Sequence, residues 1–157
     1  MDPQTRRLLE AFETKPDAPP KASIALEKFG DPRLWQAVAQ ELVTRGWLRP
    51  AGQPGSFERT EDGRLALAKP LDVTLYTRPG CHLCDEAKAQ IGPLLRRAGA
   101  SLREVNIDAD PVLRQRYDWD VPVIFLGARK VAKHRVDVEQ FRRQLEEAGR
   151  VSESAER

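Results

Sequence analysis

Tyr76-Thr77-Arg78-Pro79-Gly80-Cys81-His82-Leu83-Cys84 decides how the chain is to be read. It opens on the end of an alternating, β-branched run, Asp72-Val73-Thr74-Leu75-Tyr76-Thr77, which has the pattern of a strand. Pro79-Gly80 then breaks the extended chain. The segment from Leu83 to about Ala98 follows, with Leu83, Ala87, Ile91, Leu94 and Leu95 spaced for the inner face of a helix. Two cysteines therefore stand where a strand gives way to a helix. Pro93 within that helix removes one internal donor and predicts a kink or an early end.

Cys81 and Cys84 are the only cysteines among 157 residues. One pair is no disulfide framework for a secreted scaffold, and a chain of this length can build a core without one. C-x-x-C beside a β-α-β pattern points to dithiol redox chemistry. Zinc is the competing reading, but a structural site takes four ligands and only His82 and His134 could complete the set. No metal site and no bound cofactor are expected.

Working outward, Leu102 to Ile107 forms a second strand, and Asp110-Pro111 caps a short helix running to Tyr117. Val121-Pro122-Val123-Ile124-Phe125-Leu126 is a third strand, Gly127-Ala128 a turn, and Lys130 to Lys133 a fourth strand. Asp137 caps a closing helix with Val138, Phe141 and Leu145 on one face, and the tail from residue 150 to 157 is expected to fray. The order is β-α-β-α-β-β-α over 71–149.

Upstream, residues 1–69 form a separate small domain, with the boundary at Lys69-Pro70-Leu71. Asp2-Pro3 begins a helix to about Glu13 with Leu8, Leu9 and Phe12 on one face. A proline-rich break at Pro16 to Pro20 precedes a short helix over Ser23 to Phe29. Asp31-Pro32 opens a third, with Leu34, Val38, Leu42 and Val43 at helical spacing and Gly46 as its stop. Trp47-Leu48-Arg49 and Ser56-Phe57-Glu58-Arg59 flank a turn-rich loop as two strands, and Thr60 caps a last short helix. Trp35 and Trp47 are expected to serve as packing residues.

Lys and Arg number 26 against 24 Asp and Glu, a net charge of +2 that gives no support to general polyanion binding. No apolar run approaches the roughly 20 residues of a spanning helix, so no membrane partner is expected. The charged start MDPQTRRLLEAFETK lacks the apolar core of a signal peptide, and the expected location is cytoplasmic.

Two resemblances add to this. Tyr76 to Cys84 together with Asp120-Val121-Pro122-Val123-Ile124-Phe125 resemble a glutaredoxin within the thioredoxin-like fold, over about residues 71–148. The nearest pattern is the small bacterial glutaredoxin-like group carrying Thr-x-x-x-Cys-x-Leu-Cys. The resemblance implies a mixed four-stranded sheet and a dithiol oxidoreductase acting on protein disulfides or glutathione mixed disulfides. It also implies a cis peptide at Val121-Pro122, with the Val121 backbone pairing with substrate. Asp137 stands where the family often has Gly-Gly-x-Asp to hold glutathione, but His134-Arg135-Val136 replaces the glycines. A protein dithiol thus stands beside glutathione as reductant or substrate. Some glutaredoxin relatives carry iron–sulfur clusters, usually through a single active cysteine, whereas this chain has two.

Residues 3–68 resemble a winged-helix domain, through Leu42-Val43-Thr44-Arg45-Gly46-Trp47-Leu48 and Phe57-Glu58-Arg59-Thr60-Glu61-Asp62-Gly63-Arg64. In that family the third helix enters the major groove. Arg33, Gln36, Gln40 and Arg45 could face outward from it, alongside Asp31 and Glu41, and a solvated packing module is the competing reading. The alternative function is a redox-sensing regulator that binds DNA or a partner through 1–69.

The expected chemistry follows from position. A cysteine at a helix N-terminus meets unpaired N–H groups and the positive end of the macrodipole, which favour its thiolate. Cys81 is therefore the expected nucleophile, with Arg78 as a second positive charge and a substrate-binding candidate, and Cys84 the resolving thiol. Lowering a thiol from pKa ~8.5 to ~6 raises its thiolate fraction at pH 7 about 30-fold. A Brønsted slope near 0.5 takes back about 18-fold in nucleophilicity, so the larger gain is as a leaving group. His82 is expected to tune the thiolate slightly or to face solvent, His134 to lie on the surface, and Trp119 to flank the redox site.

Overall fold

The computed structural model describes residues 1–12, 31–52 and 54–157. The chain divides into two compact units, Met1–Leu67 and Ala68–Arg157.

In the first unit, α1 (Pro3–Ala11) starts at Asp2, whose carboxylate accepts from the Gln4 and Thr5 amides. It ends at Ala11, with Phe12 as its C-cap. Asp31 caps α2 (Pro32–Thr44) by accepting from the Arg33 amide. Strands β1 (Leu48–Pro50) and β2 (Phe57–Arg59) pair antiparallel, and α3 (Glu61–Leu67) follows. The break at Pro16 to Pro20 and the helix expected over Ser23 to Phe29 lie outside the described residues.

The core of this unit is Leu8, Leu9, Phe12, Trp35, Ala39, Leu42 and Leu48. Leu34 was expected inside, but it is 49% exposed. The inward face of α2 is Trp35, Ala39 and Leu42, with Val38 and Val43 packed beside it, so the buried stripe begins at Trp35 and not at Leu34. Arg33, Gln36, Gln40 and Arg45 are exposed, as are Asp31 and Glu41. Arg45 pairs with Glu41 at 2.5 Å. That face carries both signs of charge.

In the second unit, β3 (Asp72–Thr77) lies between β4 (Ser101–Asn106) and β5 (Val123–Leu126), and β6 (Arg129–Lys133) completes the order β4-β3-β5-β6. The β3–β4 pair is parallel, which requires the crossover supplied by α4 (His82–Ala98). The β3–β5 and β5–β6 pairs are antiparallel. A 3-10 turn over Ile107–Ala109 and α5 (Pro111–Tyr117) link β4 to β5, and α6 (Val138–Ala155) closes the chain. This is the thioredoxin-like arrangement of a mixed four-stranded sheet with helices.

Alternation along β3 sorts its side chains between two faces. Val73 and Leu75 join Ala87, Ile91 and Leu95 of α4, Ile124 and Leu126 of β5, and Phe141 and Leu145 of α6. Each large side chain so buried contributes about 1.5–3 kcal/mol of transfer free energy. Tyr76 faces the other way, with ring centroids 4.9 Å from Tyr117 and 5.5 Å from Phe125.

Three features differ from the sequence reading. α4 continues through Pro93 to Ala98 instead of ending early. Leu94, Leu95 and Ala98 all pack against the core beyond the proline, and Gly92 has no Cβ to clash with its ring. Leu83 and Val138, expected inward, are each 37% exposed, because both lie in the opening turn of their helices, ahead of the stripe that later turns bury. α6 runs to Ala155, past the point where fraying was expected. Extending a helix already docked by Phe141 and Leu145 needs no new nucleus. Among the described residues no helix is long and apolar enough to cross a membrane.

Candidate active site at the end of the central strand

β3 ends at Thr77, and the chain reverses through Gly80, whose φ of +73° a side chain would disfavour. Cys81 is the N-cap of α4. Its Sγ accepts a hydrogen bond from the Cys84 amide at 3.2 Å. The sulfur thus takes the place that a Ser or Asp oxygen takes in an ordinary cap. The two cysteines are joined as a disulfide, with Cα atoms 5.2 Å apart. Cys81 is half-buried, while Cys84 is 2% exposed. A cysteine partly open to solvent precedes one that is buried. His82, Asp85 and Glu86 are exposed around them.

Arg78 is engaged by carboxylates of its own chain. Its guanidinium donates to Asp118 Oδ1 at 2.6 Å, to the Asp118 carbonyl at 3.2 Å and to Asp108 Oδ1 at 2.8 Å. Arg114 approaches the same Asp108 oxygen at 3.8 Å. The bonds to Asp108 and Asp118 raise the Arg78 pKa above its ordinary value, so it stays charged at every relevant pH. The hydrogen bond from Arg78 also holds the Asp108 carboxyl below its usual value. The charge assigned by sequence to Cys81 or to substrate is therefore directed at two carboxylates. It acts as a clamp joining the loop before Cys81 to the turns at 108 and 118. Asp108 and Asp118 lie 30 and 40 residues further along the chain, beyond any local signal.

The Asp118 clamp bears on the next segment. The Tyr117 carbonyl accepts from the amides of Asp120 at 2.9 Å and Val121 at 3.3 Å. This closes a tight turn with Trp119 at its tip, 88% exposed. The Val121–Pro122 peptide is cis, as the resemblance implied. Pro122 is buried and Val121 half-buried. The Val121 backbone is the group the resemblance pairs with substrate, and its amide donates to the Tyr117 carbonyl.

On the opposite flank, the His134 amide donates to the carbonyls of Asp120 at 3.2 Å and Pro122 at 3.0 Å. His134 holds a φ of +63°, and its exposed ring lies 3.6 Å from Asp120 Oδ1. Lys133 Nζ lies at the same distance from that oxygen. Asp137 accepts from the Gln140 amide at 2.9 Å as the cap of α6. A cleft of about 120 Å³ is lined by Leu83, Glu86, Ala87 and Gln90 of α4 and by His134, Arg135 and Val136. The two ends of β3 and β5 that meet in register at Tyr76 and Val123 thus gather the cysteine loop, the clamp, the cis peptide and the His134 turn. Among the described residues no three His, Cys, Asp or Glu side chains group as metal ligands.

A sheet of this order, with a linked C-x-x-C at the start of the crossover helix, defines a thioredoxin-fold redox domain. Residues 72–146 match the glutaredoxin-like domain family. Over 84 residues the chain is 31% identical to the glutaredoxin-like protein YDR286C homolog of Dictyostelium discoideum, covering 50% of this chain and 78% of that one. The chain belongs to the glutaredoxin-like family. Among solved structures, protein XcR50 from X. campestris is 36% identical, covering 48% of this chain and 96% of its own, with a TM-score of 0.41. The holo form of glutaredoxin C1 from Populus tremula x tremuloides is 23% identical, covering 59% and 86%, with a TM-score of 0.41.

Proposed function

We propose that the chain is a dithiol oxidoreductase that reduces disulfides of proteins or of glutathione mixed with a protein thiol. The observation that carries this is the N-cap sulfur of Cys81, half-buried, hydrogen-bonded by the Cys84 amide and linked to Cys84. In the reduced protein the same amide and the helix dipole stabilise a Cys81 thiolate. That thiolate attacks one sulfur of the substrate disulfide and expels the other as a thiolate, which takes up a proton. Cys84, having lost its own proton, then attacks Cys81 and releases the second substrate thiol. The substrate gains two electrons and two protons, and the protein is left with the Cys81–Cys84 disulfide. An external thiol returns it to the dithiol. A dithiol working in this direction belongs in a reducing compartment such as the cytoplasm.

Cys81→Ser should abolish reduction of a test disulfide by the dithiothreitol-regenerated protein. Cys84→Ser should accumulate the Cys81 mixed disulfide, seen by mass spectrometry as the added mass of one substrate half. Full activity in the Cys81→Ser protein would refute the mechanism.

A further inference from the structure

The redox end of the sheet carries one large apolar side chain that the fold leaves almost wholly in water. Trp119 is 88% exposed, whereas Tyr76 and Tyr117 of this end are 0% and 5% exposed. Burying an indole is strongly favourable, so a Trp left in solvent is an unusual outcome of folding and a frequent anchor of protein contacts.

Its presentation is fixed on both sides. Before it, Asp118 is bound through its carboxylate and its carbonyl to Arg78, three residues from Cys81. After it, the Asp120 amide closes the turn on Tyr117, and the Asp120 carbonyl accepts from His134. The ring therefore extends from a braced turn, tied through Arg78 to the loop that carries the nucleophile. Leu83, within the C-x-x-C segment, adds a second partly exposed apolar group at 37%. Meanwhile the one cation that precedes Cys81 is already met by two carboxylates, so Arg78 is poorly disposed to recruit a small anionic thiol.

We infer that Trp119 is a specificity-determining residue that selects polypeptide disulfides carrying an aromatic or large aliphatic residue beside the cysteine, by stacking that side chain on its indole. This rests on the disulfide-reductase reading above and narrows its substrate class. A flanking residue packed there holds the scissile sulfur near Cys81 without taking part in the exchange, so its effect falls on the concentration needed for half-maximal rate.

The test uses the full chain, reduced with dithiothreitol and desalted, in single-turnover reactions with three probes. Two are symmetrical disulfides of five-residue peptides, Ser-Phe-Cys-Ser-Ser and Ser-Ser-Cys-Ser-Ser, and the third is hydroxyethyl disulfide. Released thiol and the protein disulfide are followed by chromatography and mass. The wild-type protein should reach half-maximal rate at about tenfold lower concentration of the Phe peptide than of the Ser peptide, the effect of one well-packed aromatic contact. Trp119→Ser should erase that ratio, and Trp119→Phe should restore most of it, which a merely structural role would not do. Equal half-saturation for both peptides in the wild type, or a ratio that survives Trp119→Ser, overturns the inference while leaving the reductase reading intact. Failure of the reduced wild type to reduce even hydroxyethyl disulfide overturns both.

Discussion

The same substitution, glycine to alanine, should have opposite signs at two helical positions of this chain, and the difference can be worked from packing. Gly63 lies in α3, where an added Cβ would overlap the Trp47 carbonyl oxygen and come within 2.8 Å of Arg59 Cγ. That carbonyl also accepts the Thr60 amide at 2.9 Å, so moving it loosens the bond that seats α3 on the Gly46–Trp47 segment. Overpacking of this kind costs about 1–3 kcal/mol. A weakened hydrogen bond adds about 1 kcal/mol. Alanine's helix propensity returns about 1 kcal/mol. Gly63→Ala should therefore destabilise the first unit by about 1–3 kcal/mol, lowering its melting temperature by about 5–20 °C. Gly149, inside α6, has nothing within 4 Å of an added Cβ. There only the propensity term remains, and Gly149→Ala should stabilise the second unit by about 0.5–1 kcal/mol. Tryptophan emission reports the first unit, because Trp35 is buried and Trp119 is already in water. Tyrosine circular dichroism reports the second, which holds Tyr76 and Tyr117, both buried. A Gly63→Ala protein whose emission midpoint is unchanged or raised would refute the claim that α3 is seated on Trp47.

Three further outcomes follow from the described contacts. Asp137→Ala removes the cap of α6 and should cost about 1 kcal/mol, read as a lower denaturant midpoint of the tyrosine signal, while Asp137→Asn should retain most of it. Asp108 has a depressed folded pKa, so its contribution to stability is complete above the ordinary carboxylate range and is lost as pH falls through the lower folded value. Asp108→Asn should accordingly flatten the acid limb of the stability curve below about pH 4, where wild type still gains from the charged form. Arg78→Met should remove the same pH dependence and release the 118 turn, seen as faster amide exchange at Asp120 and Val121.

Much of the second unit was legible because its signals are local. β3 shows strand alternation in six residues, and the Pro79-Gly80 break followed by apolar spacing places Cys81 at a helix start. Asp110 and Asp137 announce their helices as caps do. What failed was phase and extent. Helical spacing says that one face is buried, but at Leu34, Leu83 and Val138 it does not say which neighbour begins that face. Pro93 and Gly149 are strong breakers in isolation, yet the packed residues around them carry both helices onward. The Arg78 clamp was invisible for a different reason: its partners come from two turns that only the folded sheet brings beside it. In a sequence, an arginine three residues before a cysteine looks like an electrostatic helper. In the fold it is a tie between loops. The 88% exposure of Trp119 likewise depends on the turn closed by the Tyr117 carbonyl, which no spacing rule anticipates.

Because Cys81 Sγ closes the first turn of α4 and is, on the proposed mechanism, the atom that exchanges partners, oxidation state and local helix order are one variable. A thiolate is the better acceptor, since hydrogen bonds to an ionised atom are roughly twice as strong as neutral ones. Forming a disulfide withdraws that charge and leaves the Cys84 amide with a weaker hold. On the proposed chemistry the opening turn of α4 is held by a charged acceptor in the dithiol and by the Cys81–Cys84 bond in the disulfide, so the two states of the site grip one turn by different means.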